Sequence, residues 1–105
     1  MSYDVTITRE AKAQLQGFAA REQRIIGDGI AARLLDQPMV PSRAVKPLRP
    51  NPLAGYELRL GDLRVLYNVD EEAFEVVVAA VGRKVGNKLT IDEEEFHGHQ
   101  SDPAE

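Results

Sequence analysis

The sequence predicts an α+β domain in which an N-terminal strand and a two-helix hairpin pack on a predominantly antiparallel, four-stranded sheet. Three observations carry this expectation. Residues 55–84 read as three consecutive strands divided by turn signals. Residues 9–36 repeat apolar side chains at helical spacing. Between the two halves, residues 37–53 hold Pro38, Pro41, Pro47, Pro50 and Pro52, and proline both lacks an amide donor and restricts its predecessor, which argues against regular structure there.

In chain order, residues 4–7 form a short strand with Val5 and Ile7 on one face. Thr8 is placed to cap a helix that starts at Arg9, its hydroxyl accepting a first-turn N–H. Ala11, Leu15 and Phe18 give that helix its apolar face, which Gly17 weakens. A second helix is expected over about residues 21–36, with Ile26, Ile30 and Leu34 at i, i+4 and i+8. Gly27 and Gly29 lie inside it, where they permit close packing against the first helix or the sheet. The proline-containing loop carries Arg43, Lys46 and Arg49, a basic arm beside the sheet.

Tyr56–Leu60 alternates apolar and charged residues, as a half-buried strand does. Gly61 and Asp62 make a two-residue hairpin connection, since glycine tolerates the positive φ that such turns demand. Residues 63–69 form the next strand, 70–73 a polar turn, and 74–81 a valine-rich run that reads as a central strand. A basic segment punctuated by Gly82 and Gly86 follows, and residues 89–91 read as a short edge strand.

The hairpin register yields a first functional clue. A two-residue loop pairs Leu60 with Leu63, and so sets Arg59 directly opposite Arg64. Like charges facing each other across a hairpin repel, so something must offset them. Two readings are open. Glu57, two residues before Arg59 on the same face, can serve as their charge partner, or the guanidinium forks can share a bound anion such as phosphate.

At 105 residues this is one small domain, and the absence of cysteine excludes disulfides and thiolate metal sites. No run of about 18 apolar residues is present and the N-terminus has no apolar signal core, so the expectation is a soluble, cytoplasmic protein without a membrane partner. The net charge of −4 is unevenly spread: residues 92–105 hold six acids and no Lys or Arg, leaving 13 basic against 11 acidic residues in the body. Eight of the basic residues fall between Arg43 and Lys88, around the hairpin. The acidic tail has little to bury and is expected to be mobile; a second reading folds its residues 92–95 back onto Arg59 and Arg64 as a phosphate mimic. His97 and His99 have no companion ligands nearby, so no metal site is expected of them.

The order strand, two helices, proline-containing loop and three antiparallel strands resembles the RelE/ParE superfamily of bacterial toxins from type II toxin–antitoxin systems. The local likeness lies in Lys46-Pro47-Leu48, then in Gly55-Tyr56-x-Leu58-Arg59-x-Gly61-Asp62-x-Arg64-Val65-Leu66-Tyr67-x-Val69-Asp70, and then in Val81-Gly82-Arg83-Lys84. It spans roughly residues 3–91 in organisation and is sharp from 46 to 84, so that residues 1–91 form the RelE/ParE-like domain and 92–105 the tail outside it.

The resemblance implies a ribosome-dependent mRNA endonuclease that needs no metal or other cofactor. In it the mRNA 2′-hydroxyl attacks the adjacent phosphate while basic side chains stabilise the developing charge. Arg64 matches the family's sheet arginine, Arg59 a basic position on the preceding strand, and Lys84 the arginine of the final basic pair, giving three catalytic candidates. Lys46, Arg49, Arg83 and Lys88 are the implied RNA-binding residues. Lys46 stands where some relatives carry a carboxylate base, so that role does not carry over to it. Glu57 stands where the best-known RelE-like enzymes have lysine, and serves as a base or as a charge partner. The aromatic or histidine acid expected after the basic pair is missing, with Thr90 near its place. The implied partners are a cognate antitoxin, the ribosome and mRNA. The alternatives are a ParE-like inhibitor of DNA gyrase without nuclease activity, or a catalytically degenerate antitoxin-binding module.

Overall fold

The computed structural model describes residues 2–92 and, for the backbone alone, 94–96; His97 and His99 lie outside the described residues. The elements are β1 (Asp4–Ile7), α1 (Arg9–Gln16), α2 (Ala20–Arg33), β2 (Val45–Pro47), β3 (Tyr56–Leu60), β4 (Leu63–Asp70), β5 (Glu75–Val85), β6 (Lys88–Ile91) and β7 (Glu94–Phe96). The α+β class and the two-helix hairpin are as the sequence predicts. The sheet is larger than four strands: β2-β3-β4-β5-β6-β7 are joined in that order by antiparallel pairing, and β1 adds to β5 in parallel.

Local chemistry accounts for the helix ends. Thr8 caps α1, its Oγ accepting from the Ala11 amide at 3.2 Å while its hydroxyl donates to the Val78 carbonyl at 3.0 Å. The helix stops at Gln16, so Phe18 lies beyond it rather than on its face. At the start of α2, Glu22 reaches back to the Ala19 amide at 3.3 Å, half of a capping box. The helix ends at Arg33, earlier than the expected residue 36, with the fully buried Leu34 as its C-cap.

Alternation along the strands sorts the sheet into two faces. Tyr56, Leu58, Leu63, Val65, Tyr67, Val76 and Val78 point toward the helices, where they join Ala11, Ile26, Ile30 and Leu34 in the main core. The Tyr56 and Tyr67 rings stack there at 5.6 Å, and the Tyr67 hydroxyl donates to the Pro38 carbonyl. The opposite face carries a smaller cluster of Leu48, Ala54, Leu66, Ala80 and Leu89. It is covered in part by residues 48–54, and there the expectation of a structureless proline loop is corrected in two ways. Val45–Pro47 joins the sheet as an edge strand, a place where proline's missing donor is tolerated. Asn51 then organises the turn after it, accepting from the Leu53 and Ala54 amides at 2.8 and 3.0 Å and donating to the Arg49 and Ala54 carbonyls at 2.7 and 2.9 Å.

The C-terminal half is also more regular than expected. Strand β5 runs on through Val85, so the basic segment after residue 81 is sheet. Residues 89–91 are an interior strand rather than an edge, because β7 pairs with β6 on its outer side. The Asp92 carboxylate accepts from the Gln14 amide at 3.0 Å, while residue 93 and the side chains of 94 and 95, the rest of the acidic run read as a phosphate mimic, lie outside the described residues.

Two glycines make opposite demands. A Cβ at Gly82 would collide with the Thr90 carbonyl oxygen, whereas one at Gly27 would meet nothing within 4 Å. Of the two helix glycines, it is Gly29 that allows close approach, lying against Leu60 of the sheet. Gly82→Ala is therefore expected to lower stability by about 2 kcal/mol. Gly27→Ala should raise it by about 1 kcal/mol through helix propensity. Urea midpoints at unchanged m-value check both.

Candidate anion-binding face

The pairing that the hairpin signal predicts is present: Leu60 faces Leu63, Arg59 faces Arg64, and Glu57 faces Leu66. All of Glu57, Arg59, Arg64 and Leu66 point away from the helices, since their neighbours in each strand point toward them. On the outer side of β3, Lys46 stands opposite Glu57. On the far side of β4, Gly82 stands opposite Arg64, and Lys84, two residues on, shares its face. The structure thus brings Lys46, Glu57, Arg59, Arg64 and Lys84 to one face across four adjacent strands. Arg49 lies on the loop that covers part of it.

Glu57 is the charge partner. Its carboxylate has no solvent exposure, yet it lies between both arginines. Oε1 accepts from Arg59 Nε at 3.0 Å, and Oε2 lies 3.7 Å from Arg64 Nε, an electrostatic contact too long for a hydrogen bond. Arg64 is fastened elsewhere: its Nη1 donates to the Gly61 and Leu63 carbonyls at 2.6 and 2.9 Å, tying the guanidinium to its own hairpin. Burial lowers the Arg64 pKa from its ordinary value and the Glu57 charge works in the opposite direction, the Arg59 charge reinforcing burial. The Arg64 side chain is 8% exposed and that of Arg59 25%. Among the described residues, both Nη atoms of Arg59 and the Nη2 of Arg64 have no protein partner. With Arg59 held by Nε and Arg64 by Nη1, both terminal nitrogens of Arg59 and the Nη2 of Arg64 remain to receive an oxyanion.

Arg83 does not belong to this face. Adjacent residues of a strand point in opposite directions, so Arg83 turns to the helix side while Lys84 does not. There it donates to Glu22 at 2.7 Å and Asp62 at 3.1 Å and lies 5.4 Å over the Phe18 ring. Lys88 and Thr90 share its parity in β6, and the Thr90 hydroxyl donates to the Arg83 carbonyl at 3.0 Å. The position nearest the expected acid therefore faces away from Arg59 and Arg64. A cleft of about 480 Å³ opens on this helix side between Phe18, Val81, Arg83 and Asp92. Gln14 lines it and was not singled out by sequence: its Oε1 accepts the Val81 amide at 2.9 Å, filling a gap along β5.

Two stability consequences follow. Arg64→Ala leaves the buried Glu57 with one partner and removes both hairpin bonds, and is expected to cost about 3 kcal/mol. Arg59→Ala, at a partly exposed position, should cost about 1 kcal/mol; chemical denaturation compares them. On the other face, the hydrogen bond from Arg83 holds Glu22 below its ordinary value of 4.5. Its stabilising contribution is complete above that value and drains away as pH falls through the lower folded value. Glu22→Gln should accordingly show a shallower loss of stability than wild type when the pH is lowered from about 5, measured by denaturant midpoints.

Neither a protein-family model nor a curated protein sequence matches the chain. Solved structures do. A chain of the toxin–antitoxin complex RelBE2 from Mycobacterium tuberculosis is similar at 27% identity and a TM-score of 0.66, over 82% of this chain and 95% of that one. A chain of the archaeal RelE–RelB complex from Pyrococcus horikoshii OT3 shares the fold at 22% identity and a TM-score of 0.59, over 79% of this chain and 96% of that one. The protein has a RelE-like fold.

Proposed function

We propose that this RelE-like chain is the toxin of a type II toxin–antitoxin pair, and that it cleaves mRNA on the ribosome by 2′-hydroxyl attack on the adjacent phosphate. The observation that carries this reading is the convergence of Arg59, Arg64 and Lys84 on one face of three adjacent strands, with both Nη atoms of Arg59 and the Nη2 of Arg64 unengaged among the described residues. In the proposed step, the scissile phosphate rests against these nitrogens. As the 2′-oxygen bonds to phosphorus the P–O5′ bond breaks, giving a 2′,3′-cyclic phosphate and a 5′-hydroxyl. The 2′-proton passes to water and the 5′-oxygen takes one from water, and the charge growing on the non-bridging oxygens meets donors already in place. Lys46 and Arg49 extend the positive surface toward the neighbouring nucleotides. A cognate antitoxin is the protein partner, covering this face and the helical hairpin when the toxin is held silent.

A second reading, a toxin without nuclease activity that targets DNA gyrase, has its own supporting observation. Glu57 is shut off from solvent and Thr90 faces the other side, so neither is placed to move a proton on this face.

Expression of the chain alone is expected to arrest growth, and co-expression of the cognate antitoxin to relieve it. In reconstituted translation, primer extension on a defined mRNA should show cuts at A-site codons that Arg59→Ala and Lys84→Ala weaken by about tenfold or more. These two variants serve better than Arg64→Ala, whose loss of stability would confound the result. Intact mRNA beside a folded wild type, with inhibited supercoiling by gyrase, would replace the first reading with the second.

A further inference from the structure

We infer that Glu57 is a positioning residue, a buried carboxylate that aims Arg59 at the phosphate. The inference rests on the reading of this face as a phosphate site and adds a residue to it. Glu57 has no solvent exposure, so it cannot itself touch an RNA ligand or take a proton from one. What it does touch is Arg59, through one hydrogen bond of 3.0 Å to the inner nitrogen Nε. That bond engages neither outer nitrogen of Arg59, and because the guanidinium is planar and rigid it fixes the plane in which both lie.

The two arginines differ in what fixes them. Arg64 is located by two backbone carbonyls of its own hairpin, and its 3.7 Å approach to Glu57 is too long to orient it. Arg59 has Glu57 and, among the described residues, no other side-chain partner. Removing the carboxylate therefore frees Arg59 and leaves Arg64 where the hairpin puts it. The same carboxylate lowers the charge of the pair from two to one, which lets two guanidinium groups stand opposite each other before any phosphate arrives.

The length of the side chain and the acceptor oxygen are what matter. Glu57→Gln keeps an acceptor at the same reach, so Arg59 stays in place. Glu57→Asp keeps the charge but withdraws it by one methylene, and Glu57→Leu removes the acceptor. The test uses the full chain in two measurements. The first follows the Arg59 Nε–H resonance by 15N NMR, assigned through its loss in Arg59→Ala. Slow exchange with water is expected in wild type and Glu57→Gln, and fast exchange in Glu57→Asp and Glu57→Leu. The second measures binding of a labelled single-stranded RNA by anisotropy. Glu57→Asp and Glu57→Leu should each weaken binding about tenfold, as Arg59→Ala does, and combining either with Arg59→Ala should weaken it no further.

Should Glu57→Leu fail to fold, the aspartate variant carries the test alone. An Arg59 resonance that is unchanged in Glu57→Asp, or losses that add in the double variant, would overturn the inference. Exchange that follows the expected pattern while wild type binds no RNA would overturn the phosphate reading and leave the Glu57–Arg59 arrangement standing.

Discussion

The architecture depends on how one edge of β5 is shared. Along its other edge β5 is paired continuously with β4, apart from a register shift at Leu66/Tyr67. On the shared edge, β1 covers Glu75 to Val78 in parallel and β6 covers Arg83 to Val85 in antiparallel pairing. Between them lies a gap in which backbone groups of a largely buried strand would be left without partners, at a cost of the order of 1–3 kcal/mol each. Helix α1 closes it from both ends. Thr8 takes up the Val78 carbonyl with its amide at 3.1 Å and its hydroxyl at 3.0 Å, and Gln14 accepts the Val81 amide at 2.9 Å. The helix that follows β1 is thus fixed over the sheet by hydrogen bonds as well as by its apolar face, and β6 can cross close to Gly82 only because that residue has no side chain.

With the helices committed to one face, the other is left to β2 through β6 and to the loop after β2. Here a second constraint operates. Three charged side chains meet at the hairpin, and two of them, Glu57 and Arg64, are almost entirely out of water. Burial of an ion pair gains little by itself, because desolvation offsets much of the Coulomb attraction. What makes this arrangement tenable is the division of labour among the donors. Arg64 spends its Nη1 on hairpin carbonyls and Arg59 its Nε on the carboxylate, while Arg64 Nε stays buried 3.7 Å from Glu57. The hairpin tip is thereby braced, and the positive charge that reaches the surface comes chiefly from Arg59, whose side chain is 25% exposed against 8% for Arg64.

Much of this was legible in the sequence, and the parts that were not have identifiable causes. The Gly61-Asp62 turn gave the register, and the register gave the facing arginines with Glu57 beside them. Sequence left open whether a carboxylate or a bound anion relieves the repulsion; burial of Glu57 decides for the carboxylate without excluding an anion on the outer nitrogens. Strand β2 was hidden because proline density was read as an obstacle to pairing, whereas Pro47 closes a strand at the sheet's edge. The order in the following turn comes from Asn51, a side chain that mimics backbone partners, and the Asn51-Pro52 step was its signal. Strand β7 was missed because two of its three residues are charged, and without it residues 89–91 read as an edge.

The fate of Arg83 and Lys84 shows what a family resemblance transfers and what it does not. Both were grouped as one basic pair, yet once β5 is known to run to Val85 a strand's period of two places them on opposite faces. Arg83 is then consumed by structure, clamping α2 through Glu22 and the hairpin through Asp62 above the Phe18 ring. Lys84 stays with Arg59 and Arg64. The same fold therefore builds two arginine systems from neighbouring residues. On the helix side the guanidinium of Arg83 meets acids with both terminal nitrogens, which binds elements together. On the other side a buried acid engages only the inner nitrogen of Arg59, which leaves the outer pair for a ligand. The difference lies in which atoms the carboxylate occupies, and it is that difference, more than the number of basic residues, that marks the open face as the one suited to an anion.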